Sequence, residues 1–141
     1  MKERKIAQIC MVVRDIDASM KRYWEILGVG PWDVHTFNPD TVKVFKMRGE
    51  PVDDFEYIVA LANLGEMQLE LIQPVRNVPI YQRFLDQKGE GVHHIKELVD
   101  EKDIEATVEQ YKAKGIEVTV SGRYGEDIFL YLDTESSLGM I

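Results

Sequence analysis

Four side chains sit where apolar strands would carry them into an interior: Gln8, Glu70, His94 and Lys96. Gln8 interrupts the apolar run Lys5-Ile6-Ala7-Gln8-Ile9-Cys10-Met11-Val12-Val13. A buried amide needs partners for its oxygen and its NH₂, and leaving them unpaired costs on the order of a few kcal/mol. Two readings stand: Gln8 bonds to backbone, or its carbonyl oxygen binds a cation. Glu70 lies in Gln68-Leu69-Glu70-Leu71-Ile72-Gln73-Pro74, where strand alternation sends Gln68, Glu70 and Ile72 one way and Leu69 and Leu71 the other. Its carboxylate is costly to bury alone, so it calls for a cation or a nearby Arg or Lys.

His93 and His94 are adjacent, and in a regular strand they face opposite sides. Laying His94–Val99 over Gln8–Val13 gives His94 the parity of Gln8, so His94 enters the interior and His93 faces a helix or solvent. His35 has no counterpart in the other half and reads as a surface residue. Gln, Glu and His offer oxygen and imidazole donors. These suit one divalent cation (Mn²⁺, Co²⁺, Ni²⁺, Mg²⁺ or Zn²⁺) with open water positions, not the closed sulfur cage of structural zinc. Lys96 shares the parity of His94. It reads as a substrate clamp, a proton donor or a charge near the metal; alternatively it pairs with Glu70, which would abolish the site, or it ends an exposed strand.

The elements that position these residues occur twice. Residues 5–13 read as a β-branched strand, followed by a helix over Ile16 to Leu27 with Asp15 or Asp17 as cap. Ile16, Met20, Tyr23, Trp24 and Leu27 form its apolar stripe, and Gly28 ends it. The second copy begins at Gly91, with a strand over Val92 to Val99, a helix capped by Asp103 bearing Ile104, Val108 and Tyr111, and a stop at Gly115. Short strands follow in each half: Trp32–Phe37, Thr41–Met47 and a hairpin of Glu56–Leu64 and Glu66–Ile72 turning at Gly65; then Ile116–Ser121, Asp127–Leu132 and a stub, Leu138–Ile141. This predicts an α+β fold of two βαβββ modules forming a curled sheet around a central pocket. The modules are 1–73 and 91–141, the second with its last strand incomplete, joined by a 74–90 linker holding a short helix that starts at Pro79. A ferredoxin-like α+β domain is the alternative, but each half has too many strands for it.

The chain has 141 residues and a formal net charge of −8. An acidic chain without a basic run argues against nucleic-acid binding, and the longest apolar stretch, Tyr57 to Ala62, falls far short of a membrane span. A basic start without an apolar segment behind it gives no sign of a signal peptide, and the single Cys10 fits a reducing compartment. We therefore expect a cytoplasmic protein with a small-molecule substrate.

The pattern resembles the vicinal oxygen chelate superfamily, which includes glyoxalase I, methylmalonyl-CoA epimerase, extradiol dioxygenases and bleomycin-resistance proteins. Asn63-Leu64-Gly65 with Leu69 to Pro74, then Pro79-Ile80, Phe84-Leu85 and Gly91-Val92-His93-His94-Ile95 look most like the epimerase, as does Arg22 to Gly28 of the first helix. The resemblance implies a metal held by Gln8, Glu70 and His94, chemistry at a carbon beside a carbonyl or thioester, with Glu70 and Lys96 as catalytic candidates, and a homodimer. It implies a divalent-metal isomerase, epimerase or lyase, and otherwise a non-catalytic binding protein of the bleomycin-resistance type. Two departures accompany it. The family's fourth ligand, a glutamate, would fall about two residues past Ile141, so we expect the natural chain to continue. No acid matches the epimerase's other catalytic carboxylate, although Asp53, Asp54 and Glu56 lie near the right hairpin. Pocket walls are expected from Trp32, Phe45, Tyr57, Phe129 and Tyr131.

Overall fold

A computed structural model describes residues 4–141. The first strand, β1 (Gln8–Val12), leads into helix α1 (Ile16–Leu27). Asp15 accepts a hydrogen bond from the Ala18 amide at 3.0 Å, satisfying one of the free N–H groups of the first turn, and Gly28 closes the helix in the left-handed region at φ 67°. Then come β2 (Asp33–Phe37), β3 (Val42–Met47), β4 (Glu50–Pro51), and the hairpin of β5 (Glu56–Leu64) and β6 (Met67–Arg76). Helix α2 (Pro79–Lys88) starts with proline in its first turn, where the missing N–H costs nothing. The second half holds β7 (Gly91–Lys96), a 3₁₀ turn (Glu101–Asp103), α3 (Ile104–Lys112), β8 (Val118–Tyr124), β9 (Asp127–Leu132) and α4 (Glu135–Leu138). No helix among the described residues is long and apolar enough to cross a membrane.

The strands form two sheets, ordered β2-β5-β6-β1-β7 and β4-β3-β8-β9. β1 runs parallel to β6 and antiparallel to β7. Each sheet therefore combines strands of both halves: β7 extends the first half's sheet, while β3 pairs with β8 of the second. The fold is mixed α+β, as the strand and helix pattern predicts, but its halves share sheets instead of keeping one each.

Alternation along the strands sorts the interior into two faces. Val13, Ala60 and Leu71 face α1, meeting Ile16 with Met20, Tyr23 and Trp32 packed around them. Cys10, Val12, Tyr57, Val59 and Ile72 face the second sheet, meeting Val42, Phe45 and Val120, with Tyr81 and Leu85 of α2 closing the layer. Only part of the periodic stripe of α1 is used: Ile16 is buried and Met20 and Tyr23 half-buried, whereas Trp24 and Leu27 are exposed.

The expected terminal strand is a correction. Residues 135–138 are helical, Gly139 ends the turn at φ 80°, and Thr134 Oγ1 donates to the Met140 carbonyl at 2.8 Å. Ile141 alone lies beside β7, its N–H donating to His93 O at 3.1 Å and its carbonyl accepting from Ile95 N–H at 3.0 Å.

Within the second sheet, side chains of both neighbouring strands crowd Gly122 of β8. A Cβ there would stand 2.6 Å from Phe129 Cζ and 3.1 Å from Val42 Cγ1. Overpacking of this kind costs about 1–3 kcal/mol. Gly122→Ala is expected to lower the unfolding free energy by that amount, seen as a lower denaturant midpoint at unchanged m-value, whereas Gly125→Ala, which has open space around its Cβ but a φ of 58°, reports only the backbone cost of a turn.

Candidate metal centre

The position of β1 between two partners decides the site. Register places Cys10 opposite Glu70 on one side and His94 on the other, and places Gln8 opposite Gln68 and Lys96. Two rungs result on the inner face: Glu70–Cys10–His94 and, one step along, Gln68–Gln8–Lys96. Neighbouring strands lie about 4.8 Å apart, so side chains on one rung converge. The metal-binding atoms of Cys10, Glu70 and His94 all lie within 4.8 Å of one another, and all three residues are buried. Gln8, also buried, donates from Nε2 to Gln68 Oε1 at 3.0 Å, which leaves the Gln8 amide oriented by its neighbour.

The two histidines correct the alternation argument. Between Cys10 and Met11 the register jumps from His94 to Val92, so His93 is the extra residue of a bulge. A bulge breaks strict alternation. Both rings are buried, with Nδ1 atoms 2.8 Å apart. His93 does face a helix: its Nε2 lies 3.1 Å from the carbonyl of Ile80 in α2, and its ring stands edge-on to Tyr81 and Phe84.

This geometry assigns the protons. A carbonyl only accepts, so His93 carries its hydrogen on Nε2. Burial, and secondarily His94, lowers the His93 pKa to about 4, so near neutrality its Nδ1 has a lone pair and accepts from His94 Nδ1–H. His94 Nε2 then lies 3.2 Å from Glu70 Oε1. That separation leaves room between the two atoms for a proton or, with a small adjustment, a cation. The donor set thus fits a bound cation, with the outer ring nitrogen of His94 held by a second group as metal-bound histidines require.

Tyrosines close the rest of the centre. The Tyr131 ring lies 4.8 Å from that of His94, and its hydroxyl meets that of Tyr81 at 2.7 Å. Burial raises the pKa of Tyr81, Tyr131 and Tyr57, with the charge of Glu70 adding to it, so all three are neutral hydrogen-bonding groups. Burial and then Glu70 likewise raise the Cys10 pKa, which keeps a thiol in the absence of a cation.

The structure brings Gln8, Glu70, His94 and Lys96 to one face, with Tyr57, Phe45, Phe129 and Tyr131 between the sheets. Phe45 is a packing residue there, stacked on Phe55 at 3.9 Å. Trp32 is a correction: it packs against Tyr23, Met11 and α1 on the opposite face, because it precedes β2 and falls on the Leu69 and Ala62 side of the sheet. Lys96 is half-buried and is not within 4 Å of Glu70, whose ion-pair partner among the described residues is His94. Asp54 pairs with Arg76 at 2.6 Å and Glu56 lies near Asn38, away from the centre. His35 is half-buried and bonds the Tyr124 hydroxyl at 3.0 Å, a link between the sheets. Sequence reasoning missed Cys10 and Gln68 as members of the site. Parity with Gln8 and Glu70 was the available signal.

Residues 7–131 match the model of the Glyoxalase/Bleomycin resistance protein/Dioxygenase superfamily. The chain belongs to this superfamily. Similar solved structures include methylmalonyl-CoA epimerase from Mycobacterium tuberculosis (TM-score 0.70, 18% identity, covering 96% of this chain and 82% of that one). A Streptomyces coelicolor methylmalonyl-CoA epimerase variant in complex with 2-nitronate-propionyl-CoA is similar too (TM-score 0.67, 22% identity, 99% and 91% covered). So is a hypothetical protein from Bacillus halodurans C-125 (TM-score 0.63, 19% identity, 99% and 91% covered). At these identities the likeness concerns the fold. A curated relative, the uncharacterized protein YqjC of Bacillus subtilis (strain 168), is 32% identical over 63 residues, 45% of this chain and 45% of that protein. The match thus spans under half the length of that relative.

The lowered His93 pKa has a consequence for stability. An unfolded histidine takes up its proton near pH 6.5, the folded one only near 4, so this residue's contribution is complete above 6.5 and is lost as pH falls toward 4. The loss is roughly 3 kcal/mol. His93→Gln keeps a donor for Ile80 without titrating, and its melting temperature should fall less than that of the parent between those pH values, as measured by calorimetry.

Proposed function

We propose that this protein is a divalent-metal-dependent isomerase, epimerase or lyase acting on a carbon next to a carbonyl or thioester. The observation that carries the reading is the pair of opposed donors, His94 Nε2 and Glu70 Oε1 at 3.2 Å, with the His94 tautomer set by His93. Gln8, Glu70 and His94 would hold the cation. When bound, such an ion supplies Lewis acidity to a carbonyl oxygen, which eases removal of a proton from the adjacent carbon.

The chain's own groups define the remaining chemistry. Gln68 fixes the Gln8 amide, and the buried tyrosines keep water from the rung. Lys96, one rung from Glu70 and half-buried, is positioned to hold an anionic substrate group or to carry the proton. Among the described residues Glu70 has no second carboxylate within its cluster, so the proton carriers are Glu70 and Lys96. Epimerases among the similar structures, one of them in complex with methylmalonyl-CoA, support a branched acyl thioester as the substrate. A homodimer belongs to the same reading, with the exposed Trp24, Ile26 and Leu27 of α1 as apolar surface for it to cover. We place the protein in the cytoplasm.

A second reading, a non-catalytic protein that sequesters a small molecule, is favoured by the single carboxylate and by the aromatic filling of Phe45, Phe55 and Phe129 between the sheets. Elemental analysis and deuterium exchange at the substituted carbon of an acyl thioester separate the two. The enzyme reading expects near-stoichiometric metal, lost in His94→Ala and Glu70→Ala. It also expects exchange that Lys96→Met slows by about 10²–10⁴-fold with metal retained. A parent protein that holds no metal after reconstitution, or that holds it without exchanging any thioester or hemithioacetal offered, overturns it.

A further inference from the structure

The residue at the middle of the rung is a cysteine, and no role described so far uses its sulfur. Cys10 has no exposed surface, yet it is not surrounded by hydrocarbon alone: its direct neighbours on both sides are Glu70 and His94. We infer that Cys10 is itself a ligand of the cation, so that the centre is a sulfur-containing Cys10–Glu70–His94 site selective for Zn²⁺-like metals over Mg²⁺ and Mn²⁺. This inference rests on the metal-dependent reading above and narrows it to a class of metal.

Three arguments support it. The first is register. Gln8 reaches Glu70 and His94 only diagonally, from the next rung, whereas Cys10 shares their rung and its Cβ points the same way. The second is distance. A tetrahedral site with bonds of about 2.0–2.1 Å to N and O and about 2.3 Å to S has N–O edges of roughly 3.3 Å and S–N or S–O edges of roughly 3.6 Å. His94 Nε2 and Glu70 Oε1 are already 3.2 Å apart, and no pair of the three donors exceeds 4.8 Å. Closing on a cation takes no more than about an ångström of movement among the three donors. The third is chemical. A soft thiolate beside imidazole and carboxylate selects zinc and its neighbours in the transition series, while Mg²⁺ and Mn²⁺ favour oxygen alone. Three protein donors leave a fourth position open, occupied by the Gln8 oxygen or by a substrate oxygen. On binding, the Cys10 S–H bond gives up its proton to solvent and the sulfur lone pair forms the bond to the metal.

Cobalt(II) makes the inference visible without any activity. Titration of the metal-free full chain with Co²⁺ is expected to produce an intense near-ultraviolet sulfur-to-cobalt charge-transfer band, which disappears in Cys10→Ser and Cys10→Ala while cobalt remains bound. Zn²⁺ affinity in competition with a chelator should fall by at least about 10–100-fold in both variants, the range that even outer partners of a metal site command. Mg²⁺ and Mn²⁺ affinities should change little. Circular dichroism and melting curves establish that the variants fold, and Ser keeps the shape of the thiol if Ala does not fold. Bound cobalt without the band, or a band that persists without Cys10, overturns this inference and leaves the metal-dependent reading intact. Failure of the parent chain to bind Co²⁺ or Zn²⁺ overturns both.

Discussion

The double pairing of β1 is the constraint on which this structure depends. A strand with a parallel neighbour on one side and an antiparallel neighbour on the other brings residues distant in sequence onto one line: Cys10 with Glu70, 60 positions later, and with His94. Because side chains alternate, a slip of one residue would turn Gln8, Cys10 and Val12 toward α1 and Met11 and Val13 toward the second sheet. The register is held by the apolar residues on both faces. Val13, Ala60 and Leu71 lock the α1 side, and Val12, Val59 and Ile72 lock the other. Packing far from the polar groups thus sets their distances.

Putting those groups inside is costly unless they satisfy one another, and here they do so in short chains. Gln68 accepts from Gln8; Ile80, His93, His94 and Glu70 form a line of donors and acceptors; Tyr81 meets Tyr131. The line from Ile80 ends at the close approach of His94 Nε2 and Glu70 Oε1. Each earlier link orients the next by the chemistry of a carbonyl or a neutral His93 ring, so His94 Nδ1 is committed to His93 and its Nε2 is left facing Glu70. That is how helix α2, remote in sequence from the first strand, takes part in the centre: its carbonyl at position 80 sets the tautomer two rings away. The bulge at His93 is what allows this. Without it His93 would point to the other face and could not touch both Ile80 and His94.

Local signals in the sequence were strong wherever they were local in cause. The Asp15 cap, the Gly28 stop and the Gly65 turn mark α1 and the β5–β6 hairpin at the observed residues, and the parity of Gln8, Glu70 and His94 puts all three on one face. What failed to show depends on pairing across the chain. The bulge is a property of two strands and leaves no mark in Gly91-Val92-His93-His94 alone. The exchange of strands between halves depends on where β3 and β7 find edges, not on their own composition. Trp32 reads like a pocket residue because aromatic strands commonly line one, but its position just before β2 turns it to the α1 side. Cys10 carries no polar signal of its own because its sequence neighbours are apolar; its polar surroundings, Glu70 and His94, come from other strands.

The repeat explains why the two rungs differ. Matching Gln8 to His94 also matches Cys10 to Lys96. In the antiparallel β1–β7 pair Cys10 faces His94 and Gln8 faces Lys96, so one rung is the image of the other. A symmetric ancestor of such a pair would offer the same chemistry twice, about 7 Å apart, two strand residues along. This sequence breaks the equivalence with single residues. One rung carries the sulfur of Cys10 and the imidazole of His94, with the Glu70 carboxylate beside them; the other carries the Gln8 amide and the Lys96 amine, with the Gln68 amide beside them. The asymmetry between Cys10 and Lys96 therefore lies in the side chains alone, on a backbone that pairs the two rungs alike.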